Sequence, residues 1–288
     1  MAASSTVYPT TAAPRLDRIL AFRLSVADPD RLRRFYVEAL GFKSAAPKTI
    51  SGDEMALLTV AGSGQRLPLS LGDQRIDLDR FSKPGRPYPD GSNAADLIFQ
   101  HCAIVVTDIQ ASYKRALDFG ALAISTGAPV RLPRSAGGVI AAKFRDPEGH
   151  PLEFLQFPPT AHVSWVQLAR QRSGALGIDH SAISVADTGA SIRFYEALGL
   201  GLGRGSLNEG ETQAALDGLS RPRVDVAPLL PLGPTPHLEL LGYLAPRGRP
   251  SNALKPNDIA ATRIVWAADR SVLLRDLDGH LQQLERRL

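Results

Sequence analysis

The 288-residue chain contains a single cysteine, Cys102. That excludes an internal disulfide and every zinc motif built on several thiolates, and it fits a reducing compartment. No run of about 18 apolar residues occurs, so nothing reads as a membrane-spanning helix. The charge is nearly balanced, with 33 Lys and Arg against 29 Asp and Glu. The two signs alternate along the chain instead of clustering. Aromatic residues make up only 6% and are not interleaved with a basic stripe, which argues against a nucleic-acid partner. The opening residues, MAASSTVYPTTAAPRLD, lack a basic segment followed by an apolar one, so no secretory signal is expected. These absences describe a cytoplasmic protein with neither a membrane nor a nucleic acid as partner.

What is present is a pattern repeated four times. An apolar strand runs into Asp at SVAD (25–28), VVTD (105–108), SVAD (184–187) and WAAD (266–269). Seven residues before each Asp stand Ala21, His101, His180 and Thr262. A last apolar strand closes each copy, and the comparable positions there are Ser70, Glu153, Glu239 and Gln283. RFYVEALGF and RFYEALGL repeat between the first and third copies, which points to a duplicated half. Each copy reads strand, helix, then two or three antiparallel strands, and the fourth is too short for its helix.

The sequence therefore predicts an α+β fold of four tandem βαβββ modules, the last truncated. Residues 1–15 are expected to be a flexible arm, 16–158 a first domain, 159–176 a linker and 177–288 a second domain. In the first module strands are expected near 54–60 and 67–71, with a Pro/Gly/Asp-rich link from 73 to 96. Each unit would show one sheet face to its helix and leave the other concave, so two units edge to edge would enclose a ligand cavity.

Strand alternation sorts the candidate residues. Cys102, Ile104, Ile183, Leu152, Phe154, Leu238 and Leu240 suit the helix-packed face. His101, His180, Glu153 and Glu239 then fall on the opposite one. A charged carboxylate inside an apolar strand costs at least several kcal/mol, roughly, unless a cation or hydrogen-bond donors meet it. Two carboxylates with two imidazoles suit one divalent ion, and mixed N/O ligation fits Zn, Ni, Co, Mn or Fe.

RFYVEALGF, FQHCAIVVTD, RDPEGHPLEFLQF and PHLELLGY together resemble the vicinal oxygen chelate superfamily, which includes glyoxalase I, methylmalonyl-CoA epimerase, extradiol dioxygenases and bleomycin-resistance proteins. The resemblance implies two glyoxalase-like half-barrel domains. It also implies that the first and last strands of a module each give one metal ligand, here His101 with Glu153 and His180 with Glu239. Pairing in sequence order would leave each half only two adequate ligands, whereas pairing the second module with the third completes one site and empties the other. A four-ligand site of this kind implies an isomerase, epimerase or lyase acting on a small chelating substrate, with Glu153 or Glu239 as the base. The alternatives are a ring-cleaving dioxygenase and a small-molecule sequestration protein. His237, two residues before Glu239, is a candidate substrate contact, as are Arg247 and Arg249 in a Gly/Pro-rich linker. His150 and His280 each follow Gly in a repeated turn and read as structural. A monomer or homodimer is expected.

Overall fold

The computed structural model describes residues 13–127, 129–134, 137–233, 236–250 and 254–286. Residues 1–12 of the expected N-terminal arm lie outside that set. Twelve principal strands supply the modules, three to each. They are β1 (Arg18–Ser25), β2 (Gly64–Leu71) and β3 (Gln74–Phe81); β4 (Gln100–Val106), β5 (Ile140–Arg145) and β6 (Pro151–Gln156); β7 (Ala175–Ser184), β8 (Arg223–Leu230) and β9 (His237–Ala245); and β10 (Arg263–Ala268), β11 (Val272–Arg275) and β12 (Leu281–Arg286). The helices are α1 (Pro29–Arg34), continued by a wider turn over Phe35–Ala39, α2 (Gly52–Leu57), α3 (Ile109–Asp118), α4 (Ser164–Ala169), α5 (Thr188–Ala197) and α6 (Gly210–Asp217).

The repeated Asp starts the helices. Asp28, Asp108 and Asp187 each accept a hydrogen bond from the backbone N–H three residues on, at 3.0, 3.0 and 2.9 Å. Such an N-cap stabilises a helix by about 1 kcal/mol. In the fourth module Asp269 instead pairs with Arg270, and β11 begins at Val272 without an intervening helix.

The modules form two sheets. One runs β11-β12-β10-β1-β3-β2, joining the first module to the fourth; the other runs β8-β9-β7-β4-β6-β5, joining the second to the third. β4 and β7 meet antiparallel at the middle of the second sheet, and β1 and β10 meet antiparallel in the first. The helix-packed faces of both sheets share one core, in which Phe22, Tyr36, Cys102, Ile104, Phe154, Ile183, Tyr195, Leu240 and Trp266 are buried together.

Two expectations for the first module need correction. Residues 54–60 do not form a strand. Ser51 accepts from the Glu54 N–H, Asp53 and Glu54 sit in the first turn, and the segment turns into α2 instead. This is serine N-cap chemistry with acids placed favourably at a helix start. Residues 67–71 belong to the penultimate strand. The closing strand is β3, which begins inside the segment expected to be a link and pairs parallel with β1. Gly72, at φ +60°, makes the turn between them.

Candidate metal centre

Register builds the site. Across the second sheet Glu153, Ala103, His180 and His237 lie side by side in one row, and His101, Ala182 and Glu239 in the next. Laterally paired residues point to the same face. The two imidazoles and two carboxylates therefore rise from four adjacent strands around a floor of alanine methyls, which leaves space between them. His101 Nε2 lies 3.0 Å from Glu153 Oε2, and His180 Nε2 lies 3.7 Å from Glu153 Oε2 and 3.5 Å from Glu239 Oε2. His101, Glu153 and His180 each offer a ligand atom within 4.8 Å of the others. The rings of His101 and His180 are 5.7 Å apart.

Asp179 joins the site through a bulge in β7. The register shifts between Ile178 and His180, so neighbouring residues both reach the cavity. The His180 Nδ1 lies 3.0 Å from Asp179 Oδ2. With Nδ1–H donated to Asp179, the ring is oriented so that Nε2 faces Glu153 and Glu239, the way a carboxylate orients a ligand imidazole. Trp165, on α4 in the linker between the sequence halves, donates its Nε1–H to Asp179 Oδ1. Its ring lies so close to Gly177 that a Cβ there would approach to 2.7 Å. Among the described residues, His101 Nδ1 is buried without a partner.

The electrostatics set the two carboxylates apart. Burial alone would push the Glu153 carboxyl up, but the Lys143 ammonium and hydrogen bonds from His101 and His180 hold it well below the usual range. Burial also opposes the charge on Glu239, and His180 and His237 bring its pKa down. Burial would lower the His180 imidazole; Glu239, Asp179 and Glu153 instead raise it well above its ordinary value. For His101 burial wins, and the pKa falls. Glu153 and Glu239 both contact His180 Nε2, and buried carboxylates call for positive charge beside them. The His101, Glu153 and His180 donors fit a divalent ion, and Glu239 stands beside them, 3.5 Å from His180 Nε2.

These residues form the base of a cavity of about 310 Å³, whose wall includes Leu132, Val139, Leu155, Phe157 and Leu216. Lys143 also lines it. Of the further candidates, His237 stands beside the site, with Nε2 3.4 Å from Glu239 Oε1. Arg247 and Arg249 are not among the residues lining this cavity. Arg249 Nε donates to Asp96 at 3.0 Å, and Arg247 donates to the Ala186 carbonyl at 3.4 Å. His150 bridges Asp146 and the Ser25 carbonyl, and His280 reaches the Ser184 carbonyl. Both tie modules together away from the cavity. Lys143, Asp179 and Trp165 were not singled out from the sequence.

The first sheet repeats the geometry with different residues. Arg263 pairs with Arg23, Arg23 with Asp77, Ala21 with Val265 and Val265 with Gln283. The counterparts of His180, His101, Glu239 and Glu153 are thus Ala21, Arg263, Asp77 and Gln283. The sequence comparison named Thr262 and Ser70 for two of these positions, and the register corrects both. Thr262 lies one residue ahead of β10, because the fourth copy is one residue shorter between the site position and its Asp. Ser70 lies on β2, not on the closing strand.

The described residues form a four-module protein whose second sheet lines a cavity with His101, Glu153, His180 and Glu239. Residues 21–155 match the family model described as Glyoxalase-like domain. Glyoxalase I from Zea mays is similar in structure, with 17% identity, 93% of this chain and 92% of that one covered, and a TM-score of 0.59. A variant of the same enzyme gives 19% identity, 93% and 92% coverage and a TM-score of 0.60. A protein from Bacillus subtilis described as a putative dioxygenase gives 14% identity, 95% and 86% coverage and a TM-score of 0.57. No curated protein sequence matches. These structural likenesses show a shared fold over nearly the whole chain, and the Glyoxalase-like domain match covers residues 21–155 of it. Among the described residues, no helix is long and apolar enough to cross a membrane.

Proposed function

We propose that the chain is a metal-dependent isomerase, epimerase or lyase acting on a small oxygenated substrate that chelates one divalent ion. The observation carrying this reading is the convergence of His101, Glu153, His180 and Glu239, from two halves of the sequence, on one buried face within 3.0–3.7 Å contacts. Zn, Ni, Co, Mn or Fe suits that mixed donor set. Such an ion polarises a substrate oxygen and makes the neighbouring C–H bond acidic. The protein's own part is proton transfer, and the carboxylates divide the work. Glu153 has its side chain 7% exposed and is held by both imidazoles, so it is the fixed ligand. Glu239 is 20% exposed and has His237 at its other oxygen, so it is the base. It takes the carbon-bound proton and returns it to the adjacent carbon or to the opposite face of the same one. The apolar wall excludes water while the charge is in transit.

The test joins metal analysis to isotope exchange. Purified protein should hold about one equivalent of divalent metal per chain, and His180→Ala should lose it. With a panel of 2-hydroxycarbonyl compounds in D2O, NMR should show exchange of the carbon-bound hydrogen. Glu239→Gln should abolish that exchange while Glu153 and the imidazoles keep the metal. Metal-free protein, or undiminished exchange in Glu239→Gln, overturns the reading.

A second reading has one observation in its favour. His101, Glu153 and His180 form a compact trio, and Glu239 reaches it only through His180. Two imidazoles and one carboxylate with open positions suit an iron oxygenase. Oxygen uptake by the Fe(II)-loaded protein with catechols would select that reading.

A further inference from the structure

We propose that Lys143 is a catalytic residue, its ammonium donating a hydrogen bond to the substrate oxygen that becomes negative when the carbon-bound proton leaves. The inference rests on the metal-dependent reading above and extends it to the substrate, a compound with two adjacent oxygens such as a 2-hydroxycarbonyl.

Three observations carry it. The first is place. Lys143 on β5 pairs laterally with Glu153, lines the cavity and has a side chain only 4% exposed. The second is unused hydrogen-bonding capacity. Its ammonium has three N–H donors, yet among the described residues it makes one hydrogen bond, 2.7 Å to Asp217 Oδ1. A buried donor left without an acceptor is costly, and here it stands in the wall beside the donor set. Asp217 is itself pinned at the end of α6, its Oδ2 accepting from Gln213 Nε2 at 2.7 Å and from the Tyr243 hydroxyl at 2.9 Å. The lysine is therefore held in place from behind and open in front. The third is the comparison within the chain. In the first sheet Gln283 occupies the Glu153 position, and its lateral neighbour on β11 is Leu273. The fold accepts an apolar residue there, and the cation occurs on the sheet that carries the two imidazoles and two carboxylates. Burial opposes the charge on this ammonium, and Asp217 at 2.7 Å counters it.

The step balances without a further reactant. The C–H bond breaks, the proton passes to the Glu239 carboxylate, and the electron pair delocalises onto the second oxygen as an enediolate. Lys143 shares a proton with that oxygen without giving it up. When Glu239 returns its proton to carbon, the charge is gone. A preorganised donor aimed at developing charge in a water-poor cavity is the kind of group that lowers such a barrier most.

The probe is acetohydroxamate, a bidentate anion with two adjacent oxygens like an enediolate. It is titrated into the Co(II)-loaded full chain and followed by visible absorption. Lys143→Met should bind cobalt within about twofold of the unmodified protein yet lose about tenfold or more in hydroxamate affinity, as expected for a charge-assisted hydrogen bond. Lys143→Arg should recover part of the loss. Lys143→Met/Asp217→Asn removes the buried orphan charge and serves if the single variant does not fold. Hydroxamate affinity equal to that of the unmodified protein in these variants, with only thermal stability reduced, overturns the proposal and leaves Lys143 as a strut between β5 and α6. Failure of the unmodified protein to take up cobalt would instead overturn the metal reading on which the proposal rests.

Discussion

The two sheets have the same plan and opposite contents. In the second, Ala103 and Ala182 form a floor between His101, His180, Glu153 and Glu239. In the first, the same floor positions hold Val265 and Arg23, and Arg263 stands where His101 would. Arg23, Arg66 and Arg263 there meet Glu54, Asp77 and Asp79 in a buried network, with Arg66 Nε 2.7 Å from Asp79 Oδ1, Arg263 Nη2 2.7 Å from Asp79 Oδ2 and Arg23 Nη1 2.8 Å from Glu54 Oε1. Both sheets bury carboxylates at their closing strands. One meets them with imidazoles and the Lys143 ammonium around a cavity; the other neutralises them with guanidinium groups. The lesson is that the scaffold demands positive charge at this place, and the choice of its source separates a ligand cavity from a structural core.

The largest effect should come from the ligands. His180→Ala should weaken divalent-metal binding by more than about a hundredfold, measured by calorimetric titration, because it removes the imidazole that contacts both carboxylates. Arg263→Met on the other sheet should leave metal affinity unchanged. If both variants bind metal alike, the contrast between the sheets fails.

Next in size is the stability of the guanidinium network. Asp79→Asn leaves Arg66 and Arg263 without their shared buried partner. Removing one member of such a cluster costs about 3–5 kcal/mol, to be read from urea unfolding. A loss comparable to that of an exposed substitution would mean that the first sheet is not held by its charges.

A smaller effect is expected at the linker helix. Trp165→Phe keeps an aromatic ring on α4 but deletes the N–H to Asp179. Metal affinity should fall about tenfold, the lower range for a residue supporting a ligand. Unaltered affinity would detach Asp179 from the site.

The last prediction is a pH dependence. Burial opposes the charge on Glu54, yet Arg66 and Arg23 bring its pKa from 4.5 to about 2. A carboxyl with its folded-state pKa depressed contributes stability above the unfolded value, and that contribution is lost as pH falls through the folded one. The unmodified protein should therefore lose stability between about pH 4.5 and 2, and Glu54→Gln should flatten that slope. Parallel slopes would remove Glu54 from the network.

Much of the site was legible in the sequence, because alternation along a strand is local. His101 between Gln100 and Cys102, or Glu153 between Leu152 and Phe154, announces its face. The convergence of the four residues was a geometric alternative that only the pairing of β4 with β7 decides. Asp77 was missed although RIDLDRF alternates clearly. Its polar residues point into a buried network, and charge in a Gly/Asp-rich stretch reads as a loop. Lys143 lies on the cavity side between Ala142 and Phe144, but its partner Asp217 is 74 residues away and comes within reach through module pairing. Asp179 breaks alternation outright, since the bulge turns two successive side chains toward one cavity. The helix Gly52–Leu57 was read as a strand because its six residues are too few to display a helical period.

One measurement bears most directly on the account: anomalous scattering from crystals grown with cobalt. A single ion bounded by His101, Glu153, His180 and Glu239, with none beside Arg263, is the expected result. An ion among the residues of the first sheet, or none at the four ligands, would contradict it.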